Sequence, residues 1–339
     1  MTAMRLGFWP PVYGNWIMTD APEQGTASYE YVKESTLLAE QLGFDTLLLA
    51  EHFIHPIGAT LDMVDAWTSA AGLAALTSKI EIIAAVKPGL RAPGVIAKMA
   101  NSIDHISRGR FAINLVSAWW PPEYEMLGVP VLAHDDRYAR AAEYIDILRG
   151  LWTRNNFSFD GEYYRIKDAS IAPRSVQQPH IPIYIGGESE QGRALGARAA
   201  DIFVMNGRPP EQFPELVTNM KERAQKHGRT IRFGMGGFVI CRETEAAANE
   251  ELRRLLALRH MQIKGADKQV VMHQVQPHDQ EKVGTNGGTM AGLVGTPEMI
   301  AERLRQFESL GIETFLLQFH PTLEELQRFG AEVMPLLRN

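Results

Sequence analysis

Short apolar runs alternate with longer amphipathic stretches along almost the whole chain. The runs fall at residues 5–10, 46–50, 80–86, 110–116, 183–185, 201–205, 233–241 and 314–319. Most are too short and too uniformly apolar for half-exposed antiparallel strands, so they predict strands buried on both faces. Between them, apolar residues recur at helical spacing. Residues 28–42 put Tyr31, Val32, Leu37, Leu38 and Leu42 on one side, and residues 134–154 do the same with Tyr138, Ala142, Tyr144, Ile145, Ile147, Leu148 and Leu151. Pro93 opens a helix over 93–107, a position that suits proline. Ser189 and Thr296 stand as capping hydroxyls before helices that run to 199 and 310. Further helices are expected over 210–227, 244–263 and 322–337. Eight strands alternating with helices predict an α/β fold, a (β/α)8 TIM barrel spanning residues 1–339 as one domain. A doubly wound open sheet is the alternative, but no Gly-x-Gly-x-x-Gly follows the first strand.

Two segments break the rhythm. Residues 155–166 (NNFSFDGEYYRI) read as a hairpin turning at Asp160-Gly161. Residues 264–288 are polar and weakly periodic, and a loop of that length is usually functional or disordered. A mobile lid is expected there, with Gly284, Gly287 and Gly288 as hinge positions. An idle insertion is the other reading.

Composition narrows the classes. Of 339 residues, 45% are hydrophobic and 22% charged, with a net charge of −6. That balance, without a basic block, argues against nucleic acid or an anionic membrane as partner. The single cysteine, Cys241, allows no intrachain disulfide and no cysteine-based metal site. The first residues lack the features of a signal peptide, and no apolar run approaches the length of a membrane span. A cytoplasmic location is expected.

In such a barrel the chemistry sits at the C-terminal strand ends, and the alternation nominates residues there. Gly186-Gly187-Glu188-Ser189 precedes a helix, where free N–H groups favour an anion; it is either a phosphate cradle or a plain serine cap. Trp119 and Trp120 can wall a pocket for a planar ring, or pack against the next helix. Glu51 and His52 follow the second strand. His52 and His55 do not match the His-Glu-x-x-His zinc order, so His52 reads as a pocket hydrogen-bonder or a satisfied structural histidine, and no metal is expected. Lys87, Asn114 and Arg137 are polar groups near apolar strands. Arg137 is a cation in a helix's first turn, a placement that an anion nearby would explain and surface solvation would also permit.

Several motifs, in order along nearly the whole chain, are similar to one family. They are Ile103-Asp104-His105-Ile106-Ser107-Arg108-Gly109-Arg110, Asn114-Leu115-Val116-Ser117, His134-Asp135-Asp136-Arg137-Tyr138, Asn156-Phe157-Ser158-Phe159-Asp160-Gly161, Gly186-Gly187-Glu188-Ser189 and Gly292-Leu293-Val294-Gly295-Thr296-Pro297. Together they resemble the alkanesulfonate, dimethyl sulfone and pyrimidine monooxygenase branch of the luciferase-like flavin monooxygenases. The resemblance implies a bacterial-luciferase-like barrel using O2 and FMNH2 supplied by a separate NAD(P)H:FMN reductase. It implies flavin contacts at Glu51, His52, Asn114, Glu123, Arg137, Tyr138 and Ser189, with Arg137, Tyr138 and Ser189 on the phosphate; Lys87, Gly186 and Gly187 join them as cofactor candidates from their place at the strand ends. His52, Trp119, Trp120 and His320 would shape the reaction pocket. The alkanesulfonate enzymes' cationic pair on strand seven pairs with Gly236 and Phe238, and their lid arginine with Asn286. A small neutral substrate is therefore expected. Trp119 followed by an aromatic, and residues 153–161, resemble dimethyl sulfone monooxygenases, so the expected reaction is C–S cleavage of a small organosulfur compound, a sulfone ahead of a sulfonate. The early run Asn15-Trp16-Ile17-Met18 is similar to pyrimidine enzymes, which leaves ring-amide C–N cleavage as an alternative. A deazaflavin-dependent oxidoreductase on the same barrel is another. A homodimer or homotetramer is the expected assembly.

Overall fold

In the computed structural model, residues 4–14, 23, 25–56, 58, 60–117, 120–258 and 282–338 are described. All eight expected runs form strands of one closed parallel barrel. In chain order these are β1 (Arg5–Phe8), β2 (Thr46–Leu49), β3 (Glu81–Val86), β4 (Phe111–Leu115), β7 (Ile183–Gly186), β8 (Ile202–Met205), β9 (Arg232–Phe238) and β12 (Ile312–Gln318). The ring closes by pairing β1 with β12, Arg5 opposite Thr314 through Phe8 opposite Leu317. The numbering gap is filled by a hairpin, β5 (Phe157–Asp160) with β6 (Arg165–Ala169), and by a small parallel pair, β10 (Ile240–Cys241) with β11 (Val294–Gly295).

The helices follow their expected limits closely. α1 (Tyr29–Leu42) starts where the Ser28 side chain accepts from the Tyr31 amide, and ends at Gly43 in the left-handed region. α3 (Pro93–Ser107) has the expected bounds, and α5 (His134–Thr153) stops one residue early. α6 (Glu190–Ala199) is capped by Ser189, α8 (Glu245–Ala257) by Thr244, and the helix Pro297–Ser309 by Thr296. α7 (Phe213–Lys226) follows a short 3-10 turn, and the C-terminal helix is interrupted by a π turn at Phe329–Val333.

Two helices escaped the pattern. α2 (Ala66–Leu76) is so rich in small and apolar residues that no polar stripe marks it; six of its residues are buried. α4 (Pro121–Met126) is too short for a period to register. The hairpin also differs from expectation. Asp160 pairs with Arg165, so the connection is the four residues 161–164 rather than a two-residue turn at Asp160-Gly161. Its cause is Glu143 of α5, whose carboxylate accepts the amides of Glu162, Tyr163 and Tyr164. Of the expected lid, residues 264–281 lie outside the described residues. Residues 282–288 pack on the barrel mouth: Gly207 N–H donates to Asn286 O at 2.8 Å, and Thr285 and Gln318 exchange two bonds of 2.9 Å. A Cβ at Gly287 would stand 2.0 Å from Gly207 O, so glycine here permits close backbone approach.

Side chains alternate along each strand, and the lumen is filled by Leu48, Ile83, Ala112, Tyr184, Ile202, Val204 and Leu316, with Trp9 on top. The next inward positions toward the C-terminal end are Ala85, Gly186 and Gly236, small residues that leave room above the lumen core. The larger core lies between the strands and the helical ring. Among the described residues no helix is long and apolar enough to cross a membrane.

Candidate active site

The C-terminal strand ends bring four of the nominated residues into one buried cluster. Glu51 and His52 follow β2, Lys87 follows β3, and Glu123 sits in the first turn of α4. Glu123 has no exposed surface. Its Oε2 takes the Lys87 ammonium, and its Oε1 takes the Phe53 amide at 2.7 Å and lies 3.2 Å from His52 Nδ1. Lys87 Nζ is also 2.8 Å from His52 Nδ1. Glu51 accepts the Lys87 amide at 3.0 Å and Arg91 Nε at 2.6 Å, and Arg91 continues to Asp65 at 2.5 Å. Above them stand aromatic rings. Trp120 lies 6.0 Å from the His52 ring, and Tyr13 lies 6.2 Å from His52 and 5.3 Å from His55.

The two carboxyl groups are driven apart. Burial pushes Glu51 up to about 7 against the pull of Arg91. Burial would raise Glu123 too, but the Lys87 ammonium on its Oε2 outweighs that and holds it well below the usual carboxylate range. Burial, reinforced by the Lys87 charge, brings His52 down to about 4, so the ring is neutral at pH 7. Burial also lowers Lys87, opposed by Glu123. Tyr13 is pushed well above the usual phenol range by burial and by the two glutamates, so its hydroxyl stays protonated. Divergent neighbouring groups of this kind mark acid–base sites.

A second cluster forms where the N-termini of α5 and α6 meet. Ser189 Oγ accepts the Gly192 amide at 3.1 Å and donates to Tyr138 Oη at 3.3 Å. Gly187 has φ 115°, and a Cβ there would come 3.0 Å from Tyr138 Oη. Arg137 is buried in the same first turn of α5 as Tyr138. Two hydroxyls, helix amides and a glycine cradle, with the Arg137 guanidinium one residue before Tyr138, make a donor set suited to a phosphate; Asp135, Asp136 and Glu190 share the same first turns. The residues therefore fit the phosphate of FMN. Asn114 is half-buried at the end of β4, level with Ala85, where it can meet a ring lying over the lumen.

Trp119 lies outside the described residues. His320 stands apart from both clusters' hydrogen bonds: it is buried at the end of β12 with Nε2 3.8 Å from Glu23, and burial lowers its pKa. Sequence reasoning gave no individual role to three contributors. Arg91 fastens Glu51, Tyr13 adds a protonated phenol, and Glu188 ties the Gly186–Ser189 turn to the next loop by accepting the Asn206 amide at 2.8 Å and pairing with Arg208. Their signal was position alone, since each follows a barrel strand.

The sequence model of the luciferase-like monooxygenases matches residues 8–314. The chain belongs to this family. Among luciferase-like relatives, an FMNH(2)-dependent dimethylsulfone monooxygenase of Pseudomonas putida is 32% identical over 347 residues, covering 99% of this chain and 95% of the relative. A protein of the same description from Pseudomonas fluorescens (strain Pf0-1) is also 32% identical, with the same coverage. Among solved structures, riboflavin lyase with modified FMN and riboflavin superposes with a TM-score of 0.85 at 20% identity, covering 99% of this chain and 92% of that one. That last likeness concerns the fold.

Proposed function

We propose that this enzyme is an FMNH2-dependent two-component monooxygenase that oxidises a small sulfone with C–S cleavage. The observation that carries the reading is the near-full-length identity to dimethylsulfone monooxygenases. The site chemistry agrees with it. Arg137, Tyr138, Gly187 and Ser189 would hold the FMN phosphate, and Asn114 with the small residues Ala85, Gly186 and Gly236 would accommodate the ring. Reduced flavin, when bound, supplies the two electrons that activate O2. One oxygen atom enters the substrate carbon beside sulfur and the other leaves as water; the hydroxylated sulfone then breaks its C–S bond to give a sulfinate and an aldehyde. The chain's own part is to hold the substrate, keep water out and supply protons. His52, Trp120 and Tyr13 stand where they can do so, with Trp119 and His320 as further pocket candidates.

The substrate is neutral in this reading. Phe238 is fully buried, and Gly236 faces Asn286, its Cβ position 3.1 Å from that of Asn286. Neither Gly236, Phe238 nor Asn286 offers a cation to a sulfonate, and an uncompensated buried charge costs several kcal/mol. A separate NAD(P)H:FMN reductase delivers the flavin by transient encounter, in the cytoplasm, to a homodimer or homotetramer.

The test couples the enzyme to such a reductase and offers matched sulfones, alkanesulfonates and pyrimidines, under air and under nitrogen. Sulfone consumption with aldehyde release, only in air, is expected. Faster turnover of a sulfonate or a pyrimidine overturns the substrate, and oxygen-independent oxidation overturns the reaction class.

A further inference from the structure

We propose that Lys87 is a positioning residue that fixes which nitrogen of His52 carries the proton, leaving a neutral ring with its hydrogen on Nε2. The argument begins with what an ammonium can do. It has three hydrogens and no lone pair, so it only donates. Lys87 Nζ lies 2.8 Å from His52 Nδ1, which makes Nδ1 the acceptor. The ring's remaining hydrogen then belongs on Nε2, since the bond made by one nitrogen sets the state of the other.

Two rival arrangements are weaker. In the first, Nδ1–H donates to Glu123 Oε1. That contact is longer, 3.2 Å, and Oε1 already takes the Phe53 amide at 2.7 Å. The Nδ1 hydrogen would also face the ammonium hydrogens. In the second, Lys87 is neutral and accepts from Nδ1–H. Glu123, without exposed surface, would then lose the countercharge on its Oε2, which a buried carboxylate does not tolerate cheaply. Among the described residues, the ring is faced by Lys87 from the end of β3, Glu123 from α4, Tyr13 from the loop after β1, the ring of Trp120, and His55 from its own loop, with Glu51 next to it in the chain. Burial and the Lys87 charge outweigh Glu123 and keep the ring unprotonated down to about pH 4.

The use of this arrangement rests on the function proposed above; the tautomer does not. A sulfone carries acceptor oxygens and no hydrogen-bond donor. A neutral imidazole N–H, directed away from the Lys87–Glu123 pair, can donate to such an oxygen without adding charge to the site.

Nitrogen NMR of the full-length enzyme labelled at histidine tests the assignment, with His52 identified by its absence in His52→Gln. The expected wild-type spectrum shows the neutral Nε2–H tautomer from pH 8 down to about 5. Lys87→Met should turn the ring over to Nδ1–H, donated to Glu123, and raise its titration by about one pH unit or more. Lys87→Arg, which keeps a cationic donor, should retain Nε2–H. A wild-type Nδ1–H ring overturns the proposal whatever the variants do. So does a Lys87→Met spectrum identical to wild type. In turnover, Lys87→Met should lose at least about tenfold in kcat/KM for dimethyl sulfone, about 1.4 kcal/mol, and Lys87→Arg should recover most of it. The expected spectrum in an enzyme that ignores sulfones would sink the substrate and leave the tautomer standing.

Discussion

The two ends of the barrel lumen are built from similar parts and behave differently. At the N-terminal end, Arg5 donates to Glu81 at 2.6 Å and to Tyr184 Oη at 3.2 Å, and Tyr184 donates to the same Glu81 oxygen at 2.9 Å. At the C-terminal end, Lys87, Glu123 and His52 make the corresponding cation, carboxylate and third polar group. Arginine keeps its proton at any accessible pH. Its neighbours raise it further, and burial with Glu81 lifts Tyr184 well above the phenol range. Neither Arg5 nor Tyr184 gives up a proton near neutrality. Replace arginine by lysine and tyrosine by histidine, remove the water, and the same motif has groups whose protonation the surroundings decide. One end closes the barrel and the other can do chemistry.

The largest effect that would separate the two ends is expected from Glu123→Gln. It leaves Lys87 without a countercharge in a site with no exposure, at a cost of about 3–5 kcal/mol, read as a loss in urea unfolding at pH 7 together with loss of turnover. Glu81→Gln, beside the partly exposed Arg5, should cost about 1–3 kcal/mol and leave turnover in place. Equal costs and equal activities would erase the distinction.

The next effect is pH-dependent stability. His52 binds its proton near 6.5 in the unfolded chain and only near 4 when folded. The unfolded state therefore takes up the proton first as pH falls. The stability conferred by the neutral ring is complete above about 6.5 and is lost on descending to about 4, by up to roughly 3 kcal/mol. Unfolding of His52→Gln at stepped pH should lack that loss. Parallel curves for variant and wild type would contradict the lowered value.

Smaller is the contribution of the phosphate cradle. Ser189→Ala and Arg137→Ala should each weaken FMN by about 1.5–3 kcal/mol while affecting riboflavin less, because only FMN presents a phosphate. Calorimetry with both ligands checks this, and matched losses would refute the cradle. The smallest effect belongs to the closed end: Tyr184→Phe should cost about 1 kcal/mol with kcat/KM unchanged, and a turnover defect there would show that the ends are coupled.

The barrel was legible because each of its strands is a short run buried on both faces, and because hydroxyl caps at Ser189 and Thr296 mark where helices begin. α2 was not, since two of its exposed positions, Ala75 and Leu76, are apolar and leave no polar stripe. At the site, the resemblance and the strand ends together named Glu51, His52, Lys87 and Glu123. No local pattern says that Lys87 and Glu123, 36 residues apart, share a proton system with His52. Pairing across strands is a property of the closed ring. The Glu143 carboxylate reshaped the hairpin turn for the same reason: a contact from a distant helix overrode the Asp160-Gly161 signal.

The junction of β1 with β12 sets a condition on time. Arg5 finds its partner only at Thr314, so the ring cannot close until more than nine-tenths of these residues have emerged during synthesis. Until then β1 presents an open edge, the kind of surface on which strands of other chains add. Contacts this distant in sequence make folding slow and expose intermediates to aggregation. Yield in a host cell should therefore depend on chaperone supply and growth temperature more than on the stability of the finished barrel.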